Sequence, residues 1–415
     1  LPFANPQPLR AELARLLPDR PFAVRFWDGT EVPATVTPAP TFTIHSPRAL
    51  AHLLRAPGEL GLGRAYAQGL IDADDIDGAL RLVDTFQPPN LTAKQLAALG
   101  LALVRATGLT APPPIPATEL RLKGERHTIA RDRRAVRHHY DAGNDFFKLF
   151  LDPSMTYSCA YWGPLPSRLP GEPPYEGGAQ TLEEAQDAKR ELVATKLALR
   201  PGEHLLDVGC GWGAMAIHAA SRHGVRVVGV SLSEPQIELA RERAARAGVS
   251  ELVEFRVADY REITGERFDA ICSIGMVEHV GEERIDLYMR TLHGLLEPGG
   301  RLLNHGIAKL ADFDTKDEGP FSERFVFPDG VPLPLSRILQ AAERAGFNTT
   351  HVEGLQHDYA RTLDCWIDAY ESRYDEAVAL AGEERARVWK LYLRAARQGF
   401  TTGWASIYQV LAHRE

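Results

Sequence analysis

Apolar residues change their period along this chain, and the changes divide it. Across 22–43 they alternate with polar residues around an Asp28-Gly29 turn, the two-residue period of strands. From 46 to 87 they recur at helical spacing instead. From 203 onward short apolar runs and amphipathic stretches take turns, as in a doubly wound sheet. The runs at 204–208, 226–230, 252–257, 268–274 and 301–305 predict strands. The stretches at 214–222, 234–247 and 282–296 predict helices, with Pro298-Gly299-Gly300 as a turn before the fifth strand. The pattern predicts an α/β protein, a Rossmann-like sheet with helical additions, preceded by a smaller mixed α+β N-terminal domain. No internal repeat is visible.

Between the two patterns, 109–117 reads LTAPPPIPA, and three consecutive prolines forbid helix and favour an extended linker. A basic segment follows at 121–139, with Arg121, Lys123, Arg126, Arg131, Arg133, Arg134 and Arg137. Against an anionic bilayer each well-placed base would contribute about 1 kcal/mol. The competing reading is a solvated helix face, partly neutralised by Glu125 and Asp132. Composition at 163–178, rich in Pro and Gly, predicts a surface loop.

The 415 residues suffice for two or three domains, and 44% hydrophobic with 25% charged residues is a globular composition. A net charge of −8 argues against a general nucleic-acid binder. Four scattered cysteines form neither a disulfide framework nor a metal site, which predicts a reducing cytoplasm and no metal. The longest apolar run, 96–104, is too short to span a bilayer, so membrane contact is expected to be peripheral. The chain opens at Leu1 without methionine, which leaves open whether native residues precede it, and no signal peptide is read.

Ligands of such sheets bind outside the carboxyl ends of the strands. The first predicted strand runs into Asp207-Val208-Gly209-Cys210-Gly211-Trp212-Gly213. Glycine allows a tight turn and close approach of a ligand to the main chain. The spacing departs by one residue from the dinucleotide fingerprint and matches the D/E-x-G-x-G-x-G turn of enzymes that bind S-adenosylmethionine. A glycine-rich turn in another Rossmann-like domain is the alternative. The second strand ends near Ser231, with Gln236 a helical turn later and no acid to hold ribose hydroxyls, so these two inherit the task. The third ends in Asp259-Tyr260: a carboxylate to accept from an exocyclic amine and a ring to cover a base, or else a helix cap and a core residue. The fourth ends in Glu278-His279 and the fifth carries Asn304-His305-Gly306-Ile307. Ionisable groups at a sheet mouth are costly unless paired or used. Upstream, Tyr157-Ser158-Cys159-Ala160-Tyr161-Trp162 gathers aromatics around a cysteine, as in the lining of an apolar cavity, although a lone cysteine is more often inert core.

These strings resemble a known family. The segment His139-Tyr140-Asp141-Ala142-Gly143-Asn144-Asp145-Phe146-Phe147 resembles the HYDxGNDxF opening of the cyclopropane fatty acid and mycolic acid synthases. So do MTYSCAYW at 155–162, the glycine turn, GVSLSEPQ at 229–236, SIGMVEHVG at 273–281, FPDG at 327–330 and YARTL at 359–363, in order and spacing. Gly61-Leu62-Gly63-Arg64-Ala65-Tyr66 resembles a stretch of the phospholipid-modifying members, so the resemblance covers 1–415. It departs at 163–178 and at Asn304 and Gly306, where the family more often has leucine and threonine.

The resemblance implies a class I methyltransferase fold that binds S-adenosylmethionine and delivers its methyl to a cis double bond of an acyl chain in a membrane phospholipid. Tyr157 and Ser158 would meet the methionine end of the cofactor, with Asp207, Gly209, Gly211 and Gly213 forming the turn beneath it. Ser231 and Gln236 would hold ribose, and Asp259 and Tyr260 would frame adenine. A bicarbonate ion as general base would be caged by Cys159, Glu278, His305, the main chain of Ile307, and Tyr359. The implied domains are a lipid- or membrane-associated unit at 1–108, a linker and basic segment at 109–138, and the methyltransferase at 139–415.

An alkene is a weak nucleophile, so a sulfonium donor must face it in a dry pocket, where orientation is worth roughly 7–11 kcal/mol at best. Tyr161 and Trp162 either stabilise the resulting cation with their faces or simply line the cavity, and the sequence explains both equally well. Proton loss from the added methyl closes a cyclopropane, the expected product. A hydride shift first gives a 10-methylene chain, the alternative, for which a flavin-dependent reductase would be a partner. A homo-oligomer is left open, and the expected location is cytoplasmic, peripheral at the inner face of the cell membrane. A methyltransferase for small polar metabolites or nucleic acid would want polar acceptors near the site, which the aromatic strings oppose. A non-enzymatic lipid carrier would have lost the glycine turn or Glu278 and His305, and all are present.

Overall fold

The computed structural model describes residues 4–108, 113–122, 124–140, 142–164, 178–310 and 320–415. Most of the 163–178 loop, part of the proline linker, Lys123 and Asp141 lie outside the described residues. The chain packs as two compact units. One comprises Leu1–Arg121, Asp317–Val326 and Tyr374–Gln398, the other Leu122–Lys316, Phe327–Arg373 and Gly399–Glu415. The first unit therefore runs past residue 108 and takes up two segments that a linear division assigned elsewhere.

In that unit the alternating stretch makes β1 (Ala23–Arg25), β2 (Glu31–Val32) and β3 (Thr41–Ile44), joined by β4 (Ile71–Ala73) in the order β2-β1-β3-β4. Helices Arg48–Arg55, Glu59–Ala67 and Ala93–Thr107 cover a core that includes Phe26, Val32, Leu50 and Ala106. The glycines of 61–66 serve close packing: a Cβ on Gly63 would lie 2.3 Å from the Phe321 ring. Arg64 next to it makes a buried bidentate pair with Glu119, at 2.6 and 2.8 Å.

The larger unit is built on β5 (His204–Val208), β6 (Arg226–Ser231), β7 (Val253–Val257), β8 (Phe268–Ile274), β9 (Leu296–Lys309), β10 (Leu333–Pro334), β11 (Phe347–Gly354) and β12 (Ala405–Arg414). The sheet order is β11-β12-β9-β8-β5-β6-β7, with β10 beside β9. Strands β5 to β9 run parallel, and β12 and β11 are antiparallel additions. Alternate residues of each strand face opposite sides. Leu206, Val208 and Val228 join a core with helices Ile285–Leu295 and Leu335–Ala345. Leu205, Val227 and Cys272 join another with helices Leu182–Lys196, Ala214–His223 and Glu234–Arg246. Burial on both faces explains why these strands read as continuous apolar runs. This is the α/β sheet the pattern predicted, in class I methyltransferase order.

Two local expectations are corrected. Pro298-Gly299-Gly300 lies inside β9, where Leu296 faces Phe268 and Arg301 faces Ala270, so the extra residues are absorbed as a register irregularity. The helix expected from 282 begins at Ile285, because Val277–His279 turns as a short 3-10 helix and Gly281 takes φ +74°.

Candidate active site

A cavity opens at the carboxyl ends of β5, β6, β7 and β8. Tyr157, Ser158, Asp207, Gly209, Gly211, Ser231, Gln236, Asp259 and Tyr260 all line it. Gly211 has φ +53° and nothing within 4 Å of a built Cβ, so any side chain there would be strained and project into open space. Gly213 stands behind: it begins helix Ala214–His223 at φ +80°, and a Cβ would lie 2.6 Å from the Phe255 ring. Gln236 is buried with Oε1 accepting from Ser231 Oγ at 2.8 Å, while its Nε2 has no hydrogen-bond partner. That unpartnered donor suits a sugar hydroxyl, so the residues present fit a nucleoside-bearing cofactor. Asp259 accepts from Arg261 through N, Nε and Nη2 at 2.9, 2.7 and 2.7 Å, so it caps a turn as well as facing the cavity. Tyr260 packs edge-on against Tyr288 at 5.4 Å, which also makes it core.

Cys159, Glu278, His305, Ile307 and Tyr359 are not among the lining residues; His305 and Ile307 stand on β9 where it pairs with β12. The His305 carbonyl accepts from the main-chain N–H of Gly275, itself on the cavity wall, at 2.8 Å. Glu278 rides the Val277–His279 turn and accepts from the main chain of Ile307. Cys159 Sγ lies 3.1 Å from the Ala160 carbonyl and 3.7 Å from the Leu355 carbonyl, and the Tyr359 N–H donates to the latter at 3.1 Å. Leu355 in turn donates to Ile407, the cross-strand partner of Ile307. Cys159 and Tyr359 thus meet at one carbonyl, which the Ile307–Ile407 strand pair links to β9.

The electrostatics of this group are set by burial. Glu278 is 8% exposed, its Oε2 has no hydrogen-bond partner, and burial pushes its carboxyl up to about 7. Burial also pushes the Cys159 thiol well above its ordinary range, keeping it a neutral S–H. For His305, burial first and then the charges of Lys189 and Lys196 hold the imidazole well below its usual value. Lys196 Nζ donates to Gln409 Oε1 at 2.7 Å, which leaves Gln409 Nε2 to donate to His305 Nδ1 at 3.1 Å. The neutral ring then carries its proton on Nε2, the atom without a partner. A carboxyl near half-protonation and an imidazole N–H, both buried and incompletely satisfied, are suited to a small polar guest.

Lys189 was not legible in the sequence as a site residue. It is 1% exposed, lines the cavity and donates to Ser158 Oγ at 2.8 Å. Burial, and then Arg190, bring its ammonium down to about 8. The only sequence signal was a lysine on the buried stripe of helix Leu182–Lys196, between Ala185 and Leu192. The expected aromatic faces are corrected: Trp162 lies under the Arg361 guanidinium at 4.0 Å, and neither it nor Tyr161 lines the cavity. The aromatic wall consists instead of His139, Tyr140, Tyr157, Trp212, Tyr260, His279 and Phe327, with His139 stacked on Phe327 at 4.1 Å and on Tyr157 at 5.6 Å. Asn144 accepts from Trp212 Nε1 at 2.8 Å, tying the 139–147 motif to the glycine turn. In the basic segment Arg131 is buried and bonds Asp329 bidentately at 2.6 and 2.7 Å, so it locks the 327–330 motif and is not a surface base.

Residues 127–410 match the family model of mycolic acid cyclopropane synthetase. A probable fatty acid methyltransferase of Mycobacterium tuberculosis is 37% identical over 380 residues, 89% of this chain and 86% of its own. A cyclopropane-fatty-acyl-phospholipid synthase of Escherichia coli K12 is 32% identical over 363 residues, 86% of this chain and 84% of its own. Among solved structures, a mycolic acid cyclopropane synthase complexed with SAH and CTAB is 34% identical, with a TM-score of 0.61, covering 68% of this chain and 98% of that one.

Proposed function

The chain belongs to the mycolic acid cyclopropane synthetase family of S-adenosylmethionine-dependent lipid methyltransferases, and from that premise we propose that it methylates a cis double bond in an unsaturated acyl chain of a membrane phospholipid, giving a cyclopropane. Bound S-adenosylmethionine supplies an electrophilic methyl on sulfur. Tyr157, Ser158, Asp207, Gly209, Gly211 and Gly213 would hold its amino-acid end and the turn beneath, Ser231 and Gln236 its ribose, and Asp259 and Tyr260 its adenine. Lys189 joins this set through Ser158.

One observation carries the reading beyond methyl transfer in general: Glu278 Oε2 and His305 Nε2 are both buried without a hydrogen-bond partner. Attack by an alkene leaves a cation on the chain, and ring closure needs a proton acceptor out of reach of water. Bicarbonate fits the group, with the His305 Nε2–H donating to it and the Glu278 carboxyl exchanging a proton with it. Cys159, the main chain of Ile307 and Tyr359 would complete the enclosure. Among the described residues no helix is long and apolar enough to cross a membrane.

The test is expression of this chain alone in a host rich in unsaturated phospholipids, followed by NMR of the extracted acyl chains. Cyclopropane protons are expected. Exocyclic methylene signals would establish the 10-methylene product and a reductase partner instead. Unmodified lipids from a chain that binds S-adenosylmethionine normally would overturn the lipid assignment.

A further inference from the structure

Three side chains that methyl transfer leaves unused converge between helices Leu182–Lys196 and Ala214–His223. His218 Nε2 and His223 Nε2 both approach the same oxygen, Glu191 Oε2, at 3.0 and 3.4 Å. One ligand atom from each of the three lies within 4.8 Å of the others. On the far side of its ring, His218 Nδ1 faces Asp187 Oδ1 at 3.4 Å. Glu191 and His218 are buried, whereas the His223 side chain keeps 20% exposure.

His218 thus lies between two carboxylates, Asp187 on its Nδ1 side and Glu191 on its Nε2 side, while His223 Nε2 faces the same Glu191 oxygen. Two imidazole nitrogens turned on one carboxylate oxygen, with a second carboxylate behind one of the rings, form a ligand set for a divalent cation. Tetrahedral zinc, with ligands at about 2.0–2.1 Å, sets its donor atoms roughly 3.4 Å apart, close to the 3.0 and 3.4 Å from Glu191 Oε2 to the two imidazoles, whose own separation lies within 4.8 Å. His218 would then donate Nδ1–H to Asp187, the carboxylate–histidine–metal relay that orients and strengthens an imidazole ligand. Partial exposure at His223 leaves room for water as fourth ligand.

We propose that Glu191, His218 and His223 bind one Zn2+ ion, with Asp187 as the positioning carboxylate. The ion joins two helices, one carrying Lys189 and the other starting at the glycine turn, so it braces both walls of the cofactor cavity without touching the cofactor.

The experiment uses the full-length protein stripped with EDTA and titrated with ZnCl2 by calorimetry, with Co2+ as a spectroscopic substitute. One equivalent is expected, with a higher melting temperature and a visible Co2+ absorption band. His223→Asn, at the exposed edge, should weaken Zn2+ at least about tenfold, and Asp187→Asn about 10–100-fold, with S-adenosylmethionine still bound. Absence of stoichiometric binding to the unaltered chain would overturn the site. So would undiminished binding in both His223→Asn and Glu191→Gln, provided circular dichroism shows each variant folded.

Discussion

At position 306 a Cβ would lie 2.2 Å from Val277 Cγ1 and 3.0 Å from Glu278 Oε2. The family's more usual threonine therefore does not fit this backbone, and the missing side chain is what lets the Glu278 turn settle against β9. Gly306→Thr should cost about 1–3 kcal/mol by overpacking and should lower turnover by displacing Glu278, as read by melting and by product formation. Asn304, the neighbouring departure, has its own reason: its Oδ1 accepts from the buried Tyr288 hydroxyl at 3.0 Å. Glu278 itself should make stability depend on pH. Its carboxyl rises from an ordinary 4.5 to about 7 on folding, so between those values the native state binds the proton more tightly than the unfolded chain. The stabilisation is whole below 4.5 and is lost as pH rises through 7. Glu278→Gln should flatten that slope and raise stability above pH 7 by on the order of 3 kcal/mol while abolishing turnover, measured by denaturant melts across the window.

Elements matter through what they deliver to one another. β12 presents Gln409 to His305, and the last turn of helix Leu182–Lys196 presents Lys196 to Gln409. The order of donors along that chain fixes the His305 tautomer. Gln409→Glu replaces the donor with an acceptor and should pull the ring proton to Nδ1. Turnover is then expected to fall about 10²-fold, with S-adenosylmethionine affinity within twofold. A kcat unchanged in this variant would show that the tautomer is not used. Helix Ile129–Tyr140 is held to the 327–330 loop by the buried Arg131–Asp329 pair. Arg131→Ala leaves the buried Asp329 with only the longer contact to the exposed Arg126, at 3.5 Å, so a loss approaching about 3–5 kcal/mol is expected in chemical denaturation. Its effect on vesicle binding should be no larger than that loss of fold explains.

For the larger unit as a whole, cofactor binding should be visible as stability. The cavity draws residues from the ends of four strands and from several helices and loops, so a ligand bound only by the folded state stabilises it by about 2.7 kcal/mol at a hundredfold excess over Kd. Gly211→Val should abolish that shift in melting temperature, because the side chain enters the cavity from a backbone at φ +53°. A variant that kept the full shift would remove the glycine turn from the cofactor site.

The sequence by itself determined the parallel sheet, since strands buried on both faces must be apolar throughout, and it determined the glycine turn and the ends where ligand-facing residues sit. Local chemistry alone decides these: periodicity, absence of Cβ, and the position of an acid or a serine just past an apolar run. Only tertiary structure decided what each charged or aromatic residue meets. Arg131 and Trp162 look available in the chain but are spent on Asp329 and Arg361, whereas Lys189, a plain helix lysine in sequence, is buried beside Ser158. The Glu191–His218–His223 cluster lies across two helices, and a search for closely spaced ligands passes over it. Burial and pairing depend on residues far apart in the chain, and they set protonation, which no spacing along one strand can reveal.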